Sequence, residues 1–234
     1  MRPNTMNRIL LAASLLAGLC LPAAAQLSAP PNTGNTFKDT SMLKPPATAK
    51  VAIIKFEDLE CPACSHAYPI VHAAADRYKI PIVRYDFPLK MHIWSRDAAI
   101  TARYLQDKVS PQVADEFRGA VFAAQTSIAS KDDLAAFTRK FFQSHKLNEP
   151  FVIDPAGRFS AEVNADYTLG ERIGISQTPT IWVVSQKNWV QVTDMNQLYA
   201  TIDNMESQVA QSTPGKTAAN APNSKLRHAA TPQR

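Results

Sequence analysis

The chain has 234 residues, 45% hydrophobic and 19% charged, enough apolar sequence for one globular domain with a real core. Its formal charge of +5 is carried at the ends: Arg2 and Arg8 near the start, and Lys216, Lys225, Arg227 and Arg234 beyond residue 209. The body between them is close to neutral, shows no basic stripe and carries no recognised binding motif, which excludes nucleic acid as a partner.

Residues 1–25 read as a cleaved export signal. Arg2 and Arg8 precede the apolar run 9–21, and Ala23-Ala24-Ala25 before Gln26 offers a small-residue cleavage site after Ala25. The run is shorter than the ~20 residues a membrane-spanning helix needs. An uncleaved anchor is the competing reading. A lipoprotein signal at Cys20 would need a small residue where Leu19 stands. Cleavage removes Arg2 and Arg8, taking +5 to +3, and removes Cys20, so Cys61 and Cys64 remain of the 3 cysteines. An exported chain, here expected in the periplasm, meets an oxidising compartment.

Residues 26–48, rich in Pro, Asn, Thr and Ser, read as an extended N-terminal arm. Residues 49–209 form the domain, and 210–234 a disordered basic tail. The apolar run 51–56 fits a buried strand. A helix follows from Pro62, at its first position, to about residue 77. Residues 80–87 alternate as a second strand, which makes a βαβ opening with a parallel pair. Helices are then expected over 95–106, from Ser110-Pro111 onward with Val113, Phe117, Val121 and Ala124 on one face, and from Ser130 with Leu134, Phe137, Phe141 and Phe142. A further helix runs from about 159 to 172 and stops at Gly174. Strands return at 180–185 and 189–192. A last helix, about 194–208, carries Leu198, Ile202 and Met205. The fold class is therefore α/β, with βαβ and ββα halves sharing one sheet and a helical insertion, about 95–172, between them.

The chemistry concentrates at Cys61-Pro62-Ala63-Cys64. Cys61 falls at a helix N-terminus, where free N–H groups and the helix dipole favour a thiolate, the nucleophile of disulfide exchange. Cys64 is within one turn and can reach back to it. A bridge over so short a loop would staple the fold weakly, so reactive chemistry explains the pair better than a structural bridge. A metal half-site lacks a second cysteine pair. His66 and His72 lie close by. His66 is a candidate tuner of the thiolate against the plainer reading of a surface histidine. Glu57, Asp58 and Glu60 would raise a nearby cysteine pKa but read as solvated loop charges. Pro179, opening a strand after Thr178, suggests a cis bond.

The segments FEDLECPACSHAYP, YDFPLKMH and GISQTPTIWVV resemble the DsbA-like branch of the thioredoxin superfamily across roughly residues 50–200. The resemblance implies a thioredoxin fold and an enzyme, a protein thiol–disulfide oxidoreductase, working through a Cys61–Cys64 disulfide. Cys61 would be the exposed nucleophile and Cys64 the buried resolving cysteine. Pro62 and Ala63 would tune the potential. Pro179 would be the cis-proline facing the pair, with Thr178 offering backbone groups to substrate. Pro69 matches the proline within the active-site helix. The partners implied are substrate proteins with reduced or misoxidised cysteines and a membrane redox partner, with the enzyme a monomer that needs no cofactor and no metal. The chain departs from the best-known member at two places. Ala63 stands where that member has histidine, and Lys55 where it has a buried glutamate. Both point to a Cys61 pKa above that of the strongest oxidants. A reductase or isomerase on the same pair, or a thiol metal-binding module, are the competing functions.

Overall fold

The computed structural model describes residues 37–212; the expected signal segment and basic tail fall outside the described residues, as does 26–36 of the expected arm. The elements follow the expected order: β1 (Val51–Glu57), α1 (Pro62–Tyr78), β2 (Ile82–Asp86), α2 (Ser95–Lys108), α3 (Pro111–Ala124), α4 (Lys131–Ser144), α5 (Arg158–Ile173), β3 (Thr180–Ser185), β4 (Trp189–Gln191) and α6 (Leu198–Ser212). The sheet order is β2-β1-β3-β4. β1 runs parallel to β2, with Ile54 opposite Val83, and antiparallel to β3, with Ile54 opposite Trp182. β4 adds antiparallel to β3. α2 to α5 lie between β2 and β3 in sequence, as the helical insertion requires.

Every residue of β1 is buried, because a central strand has both faces covered. Side chains alternate across it. Val51 and Ile53 join α1 and α6 through Ala67, Val71, Ile202 and Met205. Ala52, Ile54 and Phe56 face the other way, onto Phe87, Ile173 and Trp182. Part of the expected arm covers this second face: Leu43 is buried in it, and the Phe37 ring lies 5.1 Å from Trp182, edge-on. The insertion has its own core of Trp94, Leu105, Phe117, Val121, Phe141 and Phe142, which reaches Leu59, Cys61 and Cys64.

Element ends differ from expectation for local reasons. β2 begins at Ile82, because Ile80 N–H is spent on Ala75 O in closing α1, where Lys79 takes a left-handed conformation (φ 55°). The final helix starts later than 194: Asp194 caps a single 3₁₀ turn, Met195–Gln197, before α6 begins. Ser110 and Ser130 cap α3 and α4 by accepting from Val113 and Asp133 N–H. Gly174, at φ 99°, ends α5 in a conformation that favours glycine.

Candidate active site

The chain leaves β1 at Glu57, turns through residues 58–60 and enters α1 with Cys61 as N-cap and Pro62 at the first helical position. Cys61 is 7% exposed and Cys64 3%, whereas Pro62 and Ala63 are exposed. Both cysteines carry free thiols. The Cys61 thiol sits 3.3 Å from the Thr178 carbonyl and donates to it. The Thr178–Pro179 peptide bond is cis. The Thr178 hydroxyl is buried without a hydrogen-bond partner. The opposite end of the chain thus meets the start of α1 at one point.

The two sulfurs have opposite environments. A hydrogen bond from Cys64 holds the Cys61 pKa down to about 5 against the cost of burial, helped by Thr178 and by the backbone N–H groups of Cys64 and Ala63. Burial pushes Cys64 far up, and the neighbouring Cys61 adds to this. Asp58 N–H donates to Cys64 Sγ at 3.4 Å. Of the two sulfurs, Cys61 is thus the one whose surroundings favour the thiolate, and Cys64 the one whose surroundings favour the thiol.

The three acids before the pair are not free loop charges, which corrects the expectation from sequence: two are buried and Glu60 is half-buried. Glu57 and Asp58 are buried at 3% and 1% exposure. Asp58 accepts from Glu60 N–H (2.8 Å) and Leu89 N–H (2.6 Å) and lies 2.7 Å from His92 Nδ1. Glu60 accepts from Trp94 and Ser95 N–H at 2.7 and 2.9 Å, closing the first turn of α2. Asp58 and Glu60 staple the cysteine loop to the segment after β2, because both carboxylates accept from backbone N–H groups of that segment. Glu57 contacts Lys55 (2.6 Å), Arg84 (2.7 Å) and Arg118 (3.3 Å). Burial alone would raise its pKa, but these three cations bring it to about 2.

Lys55 is buried on the α1 side of β1, and burial lowers its pKa. With Glu57, Cys64, Pro179 and Ile181 it lines a cavity of about 10 Å³ beneath the pair. His66 points to solvent, and His72 lies 3.5 Å from Asp115. Trp94 and Trp182 are core residues and Trp189 is half-buried. Sequence reasoning missed Gln125 and Arg118. Arg118 left a signal: it shares the buried face of α3 with Ala114, Phe117, Val121 and Phe122, an odd place for an unpaired cation. Gln125 left none.

A family model described as Thioredoxin matches residues 39–204, and the chain belongs to the thioredoxin family. No curated protein matches it. Among solved structures it is similar to alpha-DsbA1 of Wolbachia pipientis (17% identity, TM-score 0.57, covering 76% of this chain and 94% of that one). It is similar too to the thiol-disulfide exchange protein alpha-DsbA2 of Wolbachia pipientis (18%, TM-score 0.55, 69% and 85%). A third is a periplasmic thioredoxin-like protein of Salmonella enterica serovar Typhimurium (14%, TM-score 0.54, 70% and 88%). At these identities the likeness is one of fold. Among the described residues no helix is long and apolar enough to cross a membrane, and no three His, Cys, Asp or Glu side chains gather as metal ligands.

Proposed function

We propose that the chain is an exported thiol–disulfide oxidoreductase that oxidises cysteine pairs in substrate proteins through a Cys61–Cys64 disulfide. The observation that carries this is the split between the sulfurs: Cys61 at the helix N-terminus with a pKa brought to about 5, Cys64 buried and pushed up. A substrate thiolate attacks Cys61 Sγ. The Cys61–Cys64 bond breaks, and Cys64 leaves with the electron pair and takes up a proton. A second substrate thiolate attacks the substrate sulfur of the mixed disulfide, and Cys61 leaves as a thiolate. The substrate has lost two electrons and the pair has gained them. Thr178, buried beside Cys61 next to Pro179, supplies backbone groups to an extended substrate. Met91 and Ile93, 78% and 57% exposed on the segment that Asp58 and Glu60 clamp, give unfolded substrates apolar surface nearby. Pro62 and Ala63 tune the potential from their exposed positions. The enzyme acts as a monomer in the periplasm, after cleavage of residues 1–25, and a membrane partner reoxidises it.

The test is trapping. Cys64→Ser is expected to accumulate mixed disulfides on non-reducing gels with an unfolded protein that carries a disulfide, because its Cys61 thiolate attacks that bond, one substrate sulfur leaves as a thiolate, and no Cys64 is there to resolve the product. Cys61→Ser is expected to form none. A Cys64→Ser protein that traps nothing would rule the exchange role out. N-terminal sequencing of exported protein is expected to begin at Gln26.

A further inference from the structure

Besides packing its core against the cysteines, the helical insertion hydrogen-bonds the backbone of the Cys61 turn through the Gln125 side chain. Gln125 ends α3 and opens the 3₁₀ turn Gln125–Ser127. Its Nε2 donates to Leu59 O at 2.7 Å and to Cys61 O at 3.1 Å. Both donor hydrogens of one amide are thus spent on the peptide units that flank Glu60 and Cys61. Those two carbonyls define the backbone path into the N-cap, where Cys61 holds φ −79° and ψ 119°. Cys61 O also accepts from Cys64 and Ser65 N–H, so the carbonyl that Gln125 fixes is the one that starts α1. A second stitch joins the same helices: Ser65 Oγ donates to Phe122 O at 3.0 Å. The end of α3 therefore faces the start of α1, and its carbonyl end carries partial negative charge that opposes a thiolate. The Gln125 amide places two N–H groups there instead.

We propose that Gln125 is a positioning residue for the redox pair: it pins the carbonyls of Leu59 and Cys61 so that the Cys61 sulfur stays aimed at the N–H groups of Ala63 and Cys64. The thiolate exists only in the reduced form, so a group that favours it shifts the pair toward dithiol and makes it a better oxidant. This extends the exchange reading above and rests on it for its consequence in redox potential, though the orientation of Cys61 is independent of that reading.

The test compares Gln125→Met, which keeps the length and loses the donors, with Ser65→Ala, which removes the other stitch and leaves the Cys61 carbonyl held. Thiolate absorbance is titrated on each reduced full-length protein, alongside thermal unfolding. Gln125→Met is expected to lower the Cys61 thiolate-to-thiol ratio about tenfold at a fixed acidic pH, one pKa unit upward. Its equilibrium with glutathione is expected to move by the same factor toward the oxidised pair. Ser65→Ala is expected to lower thermal stability and leave the titration within about twofold, well under that one-unit shift. Gln125→Ala removes the amide without adding bulk and gives the same reading should the methionine variant unfold. An unchanged titration in a folded Gln125 variant, or an equal shift in Ser65→Ala, would overturn the proposal. Wild-type protein that never exchanges with glutathione would instead defeat the exchange reading, and the titration would still decide the role of Gln125.

Discussion

At Cys61 burial and hydrogen bonding pull in opposite directions, and hydrogen bonding wins. Burial disfavours the thiolate, but Cys64, Thr178 and two backbone N–H groups each favour it. Ultraviolet titration of the reduced protein is expected to show Cys61 ionising near pH 5. That lies above the value of about 3.5 for the strong oxidant DsbA and below about 7 for thioredoxin. A midpoint at about 3.5 would mean that Ala63 costs the thiolate nothing. The position of Cys61 at a helix N-terminus was legible from Pro62 and the apolar pattern after it. The identity of Thr178-Pro179 as the other side of the site was legible only through resemblance, since no local pattern links residues this far apart. The roles of Glu57, Asp58 and Glu60 were not legible. A carboxylate in a loop looks the same in sequence whether it faces water or the backbone N–H groups of a distant segment.

At the scale of elements, helix period and capping residues located the starts of α3 and α4 and both ends of α5 to within a residue or two, because serine caps and Gly174 mark real termini. What period could not show is how α5 meets β2. A Cβ on Gly170 would stand 2.5 Å from the Phe87 ring and 3.1 Å from Phe56. Phe87 is itself stacked on Tyr167 at 4.6 Å and edge-on to Phe56 at 6.1 Å, so it has little room to give. Gly170 is therefore the close-approach point between helix and sheet. Gly170→Ala gains up to about 1 kcal/mol of helix propensity and loses about 1–3 kcal/mol to overpacking. The expected outcome is a lower thermal midpoint, and a higher one would show that the contact relaxes freely.

For the whole molecule, the insertion is fastened to the thioredoxin core by buried charge. Arg118 of α3 meets Asp86 at 2.6 Å and Glu57 at 3.3 Å, and Arg103 of α2 meets Asp86 at 2.6 Å and also Asp166 of α5. Burial would raise the Asp86 pKa, but Arg118 and Arg103 bring it to about 2. A carboxylate held below its ordinary value contributes stability that is complete above that value and lost as pH falls toward the folded one. For Asp86 the window runs from 3.8 down to about 2. Arg118→Met leaves Asp86 and Glu57 with fewer partners and is expected to cost about 3 kcal/mol at neutral pH. Urea unfolding is expected to show that deficit shrinking as the pH falls from 3.8 toward 2, because a protonated Asp86 no longer needs the guanidinium. A deficit that grows on acidification would contradict this account of the network. The same network of ion pairs fixes the segment carrying Glu57, four residues before Cys61, so packing of the insertion and alignment of Cys61 and Cys64 are one structural problem.

The reduction potential of the protein, equilibrated with glutathione buffers, tests the proposed oxidising function most directly. A Cys61 thiolate less favoured than that of the strongest oxidants predicts a potential between about −120 mV, the value for DsbA, and about −270 mV, the value for thioredoxin. A value at or below about −270 mV would contradict the account and make the chain a reductase that depends on a supply of electrons.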